Sequence, residues 1–239
     1  MEKFFAKIYK NGFNDFFKVV NDQIKHQKKM FIVTANPEIY SWGNRDSEYR
    51  DILLASDTTI VADGIGIVKG ASFIGVEIAE RIPGVDLIEA LFGEINSMKG
   101  RLCLLGAKQE VLDDLLKVIS VRYPSIDVVY ARNGYAFSKE EFNSAVLEHK
   151  PDLVLVALGA PKQEKLIKQI YDRCQKGVFI GVGGSFDVLS GHKARAPKIM
   201  VKMHLEWMYR LMKEPNRIKK FVNNNALYFK KLSKIKAKK

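Results

Sequence analysis

Residues 151–195 constrain the fold of this 239-residue chain more than any other stretch. Two short apolar runs, 153–158 and 178–182, each lead into a glycine and stand one helix-length apart. Apolar runs of that length without polar alternation belong to strands buried on both faces, and parallel strands need a crossover helix between them. The segment is therefore a β-α-β unit. In open sheets built from such units, ligands sit at the carboxyl ends of the strands. At those ends the chain places Lys162, Gln163 and Glu164 after the first run, and Ser185 and Asp187 after the second.

The same pattern recurs upstream. Strand-like runs at 30–34, 58–62, 102–106 and 126–130 alternate with helical periodicity at 15–27, 109–123 and 139–149 and with a helix ending near Met98. Six strands alternating with helices, and no Ser/Gly/Pro-rich linker before residue 190, predict a doubly wound α/β fold with a mostly parallel sheet. The strand ends again carry polar groups. Thr34 and Asn36 precede Pro37 and Glu38, which are ordinary helix-start residues, so capping competes with ligand binding there. Asp63 ends a β-branched run and is followed by Gly64 and Gly66; it can point into a crevice or cap the next helix. Arg81, in the loop before Asp86, is solvated or, beside such an Asp, able to hold a phosphate.

Charge divides the chain in two. Residues 1–190 hold 24 Lys/Arg against 25 Asp/Glu, whereas residues 191–239 hold 15 against 2. The partner of this basic segment is an anion or an anionic surface. Residues 198–212 and 218–235 have helical periodicity, with Pro215 between them. Two readings fit: a helix packed on the core with a solvated basic face, or an amphipathic segment seated on a membrane with its aromatics at headgroup level.

Several chemistries lack their residues. There is no Gly-x-x-x-x-Gly-Lys-Ser/Thr loop, and the near-glycine motifs miss the third dinucleotide position, at Lys69 and Phe186. His26, His149, His192 and His204 are scattered without zinc spacing, and neither Asp-x-Asp nor Gly-x-Ser-x-Gly occurs. Cys103 and Cys174 are too few for a disulfide framework, so both are expected reduced. No signal-peptide pattern and no apolar run of about 18–20 residues is present, which predicts a cytoplasmic protein.

Seven segments stand in order along the chain: Thr34-Ala-Asn-Pro, Ala62-Asp-Gly-Ile-Gly, Arg81-Ile-Pro-Gly-Val-Asp86, Leu158-Gly-Ala-Pro-Lys-Gln-Glu164, Gly181-Val-Gly-Gly-Ser-Phe-Asp187, Arg195-Ala-Pro197 and Leu205-Glu-Trp-Met-Tyr-Arg210. In these the chain resembles the WecG/TagA/CpsF glycosyltransferases (glycosyltransferase family 26) over nearly its whole length. The resemblance implies a Rossmann-like catalytic α/β domain over residues 1–195 and a basic amphipathic helical appendage over residues 196–239. A chain ending near Arg195 is then expected to stay folded but to lose membrane binding and most activity.

The implied activity is an inverting, metal-independent glycosyl transfer that uses no cofactor. The donor is a UDP-sugar, N-acetylmannosamine first, with glucose or N-acetylmannosaminuronate as alternatives. The acceptor is undecaprenyl-diphosphate-linked N-acetylglucosamine, and the product serves wall teichoic acid or a related surface polysaccharide. By the same resemblance Asp63 is the general base, Thr34, Asn36, Arg81, Gln163 and Asp187 line the pocket, and Arg210 and Arg217 reach the diphosphate. Lys220 stands where a third appendage arginine is expected, and lysine is a point charge rather than a fork. The segment before Met30 shows no sign of the short strand expected of the family. The implied partners are the donor, the lipid-linked acceptor and an anionic membrane surface, with no nucleic acid and with room for a homo-oligomer. The implied location is peripheral, at the inner face of the cell membrane. On residues alone, a nucleotide-binding regulator with a nucleic-acid-binding tail stays open.

Overall fold

The apolar runs become strands because helices cover both of their faces. The computed structural model describes residues 1–237, with the side chains of all of these except Glu2, Lys198, Arg217 and Lys220. The chain begins α1 (Glu2–Lys7), α2 (Phe13–Lys25), β1 (Lys29–Ala35), α3 (Pro37–Arg45), α4 (Ser47–Leu54) and β2 (Thr58–Ala62). It continues α5 (Ile65–Phe73), α6 (Gly84–Ser97), β3 (Arg101–Gly106), α7 (Gln109–Arg122), β4 (Asp127–Arg132) and α8 (Lys139–His149). Then come β5 (Leu153–Ala157), α9 (Lys162–Tyr171), β6 (Gly177–Gly181) and α10 (Ser185–Leu189). The basic segment forms α11 (Lys198–Lys202), α12 (Glu206–Lys213), a 3₁₀ turn (Pro215–Arg217) and α13 (Ile218–Lys236).

The six strands make one sheet in the order β2-β1-β6-β5-β3-β4, and every neighbouring pair is parallel. The sheet is thus wholly parallel, of the Rossmann-like α/β kind. All residues of β5 and β6 are buried, which is why they read as unbroken apolar runs, while β4 at the edge is half-exposed. One layer sets α2, α6, α7 and α10 against Ile32, Val61, Leu104, Leu155 and Ile180. The other sets α1, α3, α4, α5, α8, α9 and α13 against Phe31, Val33, Ile60, Leu105, Val154 and Phe179. Cys103, a free thiol, lies buried in this second layer; Cys174, also free, is half-buried.

Ahead of β1 no strand forms among the described residues. A single parallel bridge joins Ile8 to Ile60, and Tyr9 N donates to Ile60 O at 2.8 Å. The helix expected over residues 198–212 is broken. His204 takes a left-handed φ of 58°, and Leu205 N donates back to Met200 O at 2.8 Å. That six-to-one bond with a left-handed residue before it closes α11 as a Schellman turn, with histidine where glycine is usual.

The last helix belongs to the core. Tyr228, Leu232 and Ile235 of α13 are buried with residues of α3 and α5. Ser41 Oγ of α3 donates to Asn224 O at 3.1 Å, and Tyr228 Oη donates to Gly66 O at 3.0 Å. The C-terminal helix is therefore packed onto α3 and α5 rather than trailing from the core.

Candidate active site

Over the carboxyl ends of β1 and β2 lies a crevice of about 500 Å³. The start of α3, the loop after β2, and Arg81 with Pro83 ahead of α6 form its inner walls. Glu206, Trp207 and Arg210 of α12, with Phe221 and Asn224 of α13, form the outer wall. Trp207 and Phe221 stack face to face, centroids 5.3 Å apart and planes 5° from parallel. The tail thus completes the crevice that the strand ends begin.

Within it, Asn36 Oδ1 accepts from Glu38 N at 2.9 Å and from Ile39 N at 3.2 Å, so the side-chain oxygen caps α3. Its amide nitrogen is not needed for that cap. Asp63 caps no bond of the helix that follows it. Instead its Oδ1 accepts from Gly84 N, the first residue of α6, at 2.8 Å. The positive end of that helix, 14 residues long, holds the carboxylate across the crevice.

Burial raises the pKa of Asp63 above the usual carboxylate value, and Glu206 adds to the rise. The Gly84 N–H opposes it most strongly, followed by the Arg210 and then the Arg81 guanidinium. Arg81 Nη1 pairs with Glu206 Oε2 at 2.5 Å, and both side chains are largely shielded from solvent. Arg195 lines the same crevice and pairs with Asp86 and Glu89.

Three of the sequence-predicted residues lie elsewhere. Thr34 Oγ1 donates to Gly181 O at 3.2 Å, bridging β1 and β6. Gln163 is buried, and its Oε1 accepts from Gly159 N and Gly183 N, both at 3.0 Å. It ties together the turns that follow β5 and β6. A Cβ on Gly181 would come within 2.6 Å of Gln163 Nε2, so this close approach requires glycine. Asp187, in the first turn of α10, pairs with Lys193 at 3.2 Å. The structure gathers Asn36, Asp63, Arg81 and Arg210 around the crevice and leaves Thr34, Gln163 and Asp187 off its wall. The Arg217 and Lys220 side chains lie outside the described residues.

Glu206 stands in the motif segment 205–210 but was given no role there, and the structure puts it on the crevice wall. Its spacing of four from Arg210 on a helix was the available signal, because such residues share a face.

Glu164 is wholly buried, and its Oε1 accepts from Gln163 Nε2 at 2.7 Å. Burial pushes its carboxyl up to about 7, against the opposing hydrogen bond from Gln163. Because this folded value exceeds the ordinary 4.5, the native state keeps the proton longer than the unfolded chain. The stabilisation is complete below the unfolded value and is lost as pH rises through the folded one. Glu164→Gln, neutral throughout, is expected to flatten the urea-unfolding stability between about pH 5 and 8 and to add roughly 3 kcal/mol at the upper end. A variant with the wild-type pH slope would assign the titration to another group.

A parallel α/β sheet whose strand ends present a helix-held carboxylate beside two guanidinium groups and a second carboxylate defines a Rossmann-like enzyme. The chain belongs to the glycosyl transferase WecG/TagA/CpsF family, whose model matches residues 4–239. It is 39% identical over 192 residues to the N-acetylglucosaminyldiphosphoundecaprenol N-acetyl-beta-D-mannosaminyltransferase of Bacillus subtilis (strain 168), covering 80% of this chain and 75% of that protein. The protein of the same name from Bacillus spizizenii is 36% identical over 200 residues, 84% of this chain and 77% of its own. That of Staphylococcus aureus (strain MW2) is 34% identical over 209 residues, 87% and 82% respectively. None of these likenesses favours a nucleic-acid-binding regulator.

Proposed function

We propose that the protein transfers N-acetylmannosamine from its UDP form to undecaprenyl-diphosphate-linked N-acetylglucosamine. The carrying observation is Asp63, held by α6 and facing Arg81 and Arg210, in a chain 34–39% identical to proteins named for that transfer. Asp63 is the general base, acting through the oxygen that Gly84 does not hold. It takes the proton of the acceptor hydroxyl as that oxygen attacks the anomeric carbon. The bond from the anomeric carbon to the UDP oxygen breaks on the opposite side, and its electron pair leaves on the diphosphate. One displacement inverts the centre. Arg81, Arg210 and Arg217 supply the charge that stabilises the diphosphates without a metal ion.

Asn36 offers its amide nitrogen to the substrates, because its oxygen caps α3. Gln163 and Thr34 act on the donor site from behind its wall, through the turns at Gly159, Gly181 and Gly183, and Asp187 acts indirectly from α10. The division at residue 195 is one of function: residues 1–195 carry the base and the donor pocket, and residues 196–239 add the arginines for the diphosphates and the acceptor and membrane contacts.

Seven of the twelve exposed large hydrophobic side chains among the described residues fall between Ile199 and Phe229, interspersed with Lys and Arg. No described helix is long and apolar enough to cross a membrane. This composition suits a surface-seated protein at the inner leaflet, where each basic residue near anionic lipid contributes roughly 1 kcal/mol. The test is UDP release by the purified protein. Release is expected with UDP-N-acetylmannosamine (supplied with an epimerase) and a lipid-diphosphate N-acetylglucosamine, and not with either alone. Equal release with UDP-glucose or UDP-N-acetylmannosaminuronate reassigns the donor, and no release with any UDP-sugar removes the activity.

A further inference from the structure

The Arg81–Glu206 ion pair joins two parts of the chain 125 residues apart, and it ties the start of α12 to the loop at the inner wall of the crevice. Arg81 belongs to the loop that, three residues later, supplies the N–H holding Asp63. Glu206 is the first residue of α12, and Arg210 stands one turn on, lining the same crevice. The side chains of Arg81 and Glu206 are only 11% and 15% exposed. At that depth a charge left without its partner is costly, so the pair fixes where both elements sit. Asp63, Arg81, Glu206 and Arg210 form a group with two charges of each sign. The crevice also holds Lys69 of α5, Glu38 of α3, Arg195 and His204.

We propose that Glu206 is a positioning residue that couples closure of the tail over the crevice to the placement of Arg81 and Arg210 around Asp63. This rests on the transfer reaction proposed above. Glu206 does not touch reacting atoms in this reading. Its carboxylate sets the register of α12 against the Arg81 loop, so that the cations for the leaving diphosphate arrive together with the tail that meets the lipid acceptor. Without it, Arg81 is unpaired in a half-closed crevice and Arg210 is free to move off with α12.

Two measurements on the full-length protein test this. In the first, Glu206→Gln and Glu206→Asp are compared with wild type by the pH dependence of UDP release. Misplacing the tail is expected to lower kcat by about 10²-fold in Glu206→Gln, with recovery to within about 10-fold in Glu206→Asp. Glu206 also contributes to the raised proton affinity of Asp63. Arg210 opposes that affinity more strongly than Glu206 adds to it. The acidic limb of the profile therefore leaves its wild-type position, to lower pH where only the Glu206 charge is lost and in the opposite sense where Arg210 departs with α12. Loss of folded protein alone moves it in neither direction. In the second, trypsin cleavage within residues 193–213 is timed under native conditions, without substrate. Glu206→Gln is expected to speed it about five-fold, because cleavage follows the population of the open tail. Wild-type kcat with an unmoved acidic limb, or a cleavage rate equal to wild type, overturns the proposal. A wild-type protein that releases no UDP removes the reaction but leaves the cleavage result to decide whether Glu206 latches the tail.

Discussion

Asp63→Asn is expected to lower kcat by about 10²–10⁴-fold while leaving KM for the UDP-sugar within a few-fold of wild type. The asparagine oxygen can still accept from Gly84 N, which the Asp63 carboxylate holds at 2.8 Å, so the start of α6 keeps its cap. What is lost is the group that takes the acceptor's proton in the proposed reaction. The pH profile carries a second mark of the same role. Burial raises the Asp63 pKa, so wild-type activity rises as pH climbs through a value above the usual carboxylate one. In the asparagine variant that acidic limb disappears from whatever rate remains. Asp63→Ala is a different lesion, since it also leaves the α6 N-terminus uncapped at a cost of about 1 kcal/mol. Turnover by Asp63→Asn equal to wild type would remove Asp63 as the base and move the search to Glu206, the carboxylate that faces it across the crevice.

The layout behind that experiment was largely legible in the sequence. A parallel strand must be covered on both faces, so β5 and β6 announce themselves as unbroken apolar runs and β1 and β2 as shorter ones edged by threonine, and the polar residues after them fall at the ligand-binding edge. That logic put Asn36 and Asp63 at this edge but left helix capping open for both, and their roles came from the family resemblance. Their partners came from neither. Asp63 had two local readings, a crevice residue or a cap for the helix it precedes. The structure joins the first to a third arrangement, a cap on α6 more than twenty residues later. Arg81 and Glu206 meet across 125 residues, and no periodicity reports such a meeting. Gln163 follows a strand, but nothing in its spacing reports that its side-chain oxygen accepts from two glycine turns. The break at His204 was hidden because histidine stands where a helix stop normally shows glycine. For the tail, the sequence offered a core-packed helix or a membrane-seated one. The same stripe of apolar residues serves both, and α13 uses one stripe for the core while Val222 and Phe229 stay outside.

That double use makes Tyr228→Ala the stability change with the largest expected effect, about 3–5 kcal/mol in urea unfolding. Tyr228 is wholly buried, with its ring 5.2 Å from Tyr40 at 83° and 6.3 Å from Phe5. Its hydroxyl donates to Gly66 O, in the first turn of α5, which lines the crevice beside Asp63. The helix approaches so closely that a Cβ on Gly70 would lie 1.9 Å from the Tyr228 hydroxyl, so no larger residue fits there without displacing α13. Alanine at 228 removes the ring from this cluster and leaves a cavity that α3 and α5, fixed to the sheet, cannot collapse to fill. Tyr228→Phe separates the two contributions: it keeps the ring and loses one hydrogen bond, for about 1 kcal/mol. Truncation at residue 195 removes Tyr228, Leu232 and Ile235 together and exposes the apolar sides of Phe5, Tyr40 and Ala71. Set against a typical total stability of about 5–15 kcal/mol, the shortened chain is expected to unfold at much lower urea than the whole one rather than to stand as an independent domain. A wild-type urea midpoint for residues 1–195 would make 195 a folding boundary as well as a functional one. A midpoint far below it means that the element bringing the basic surface to the acceptor also holds the catalytic layer together, so the tail cannot leave the crevice without loosening the loop that carries Asp63.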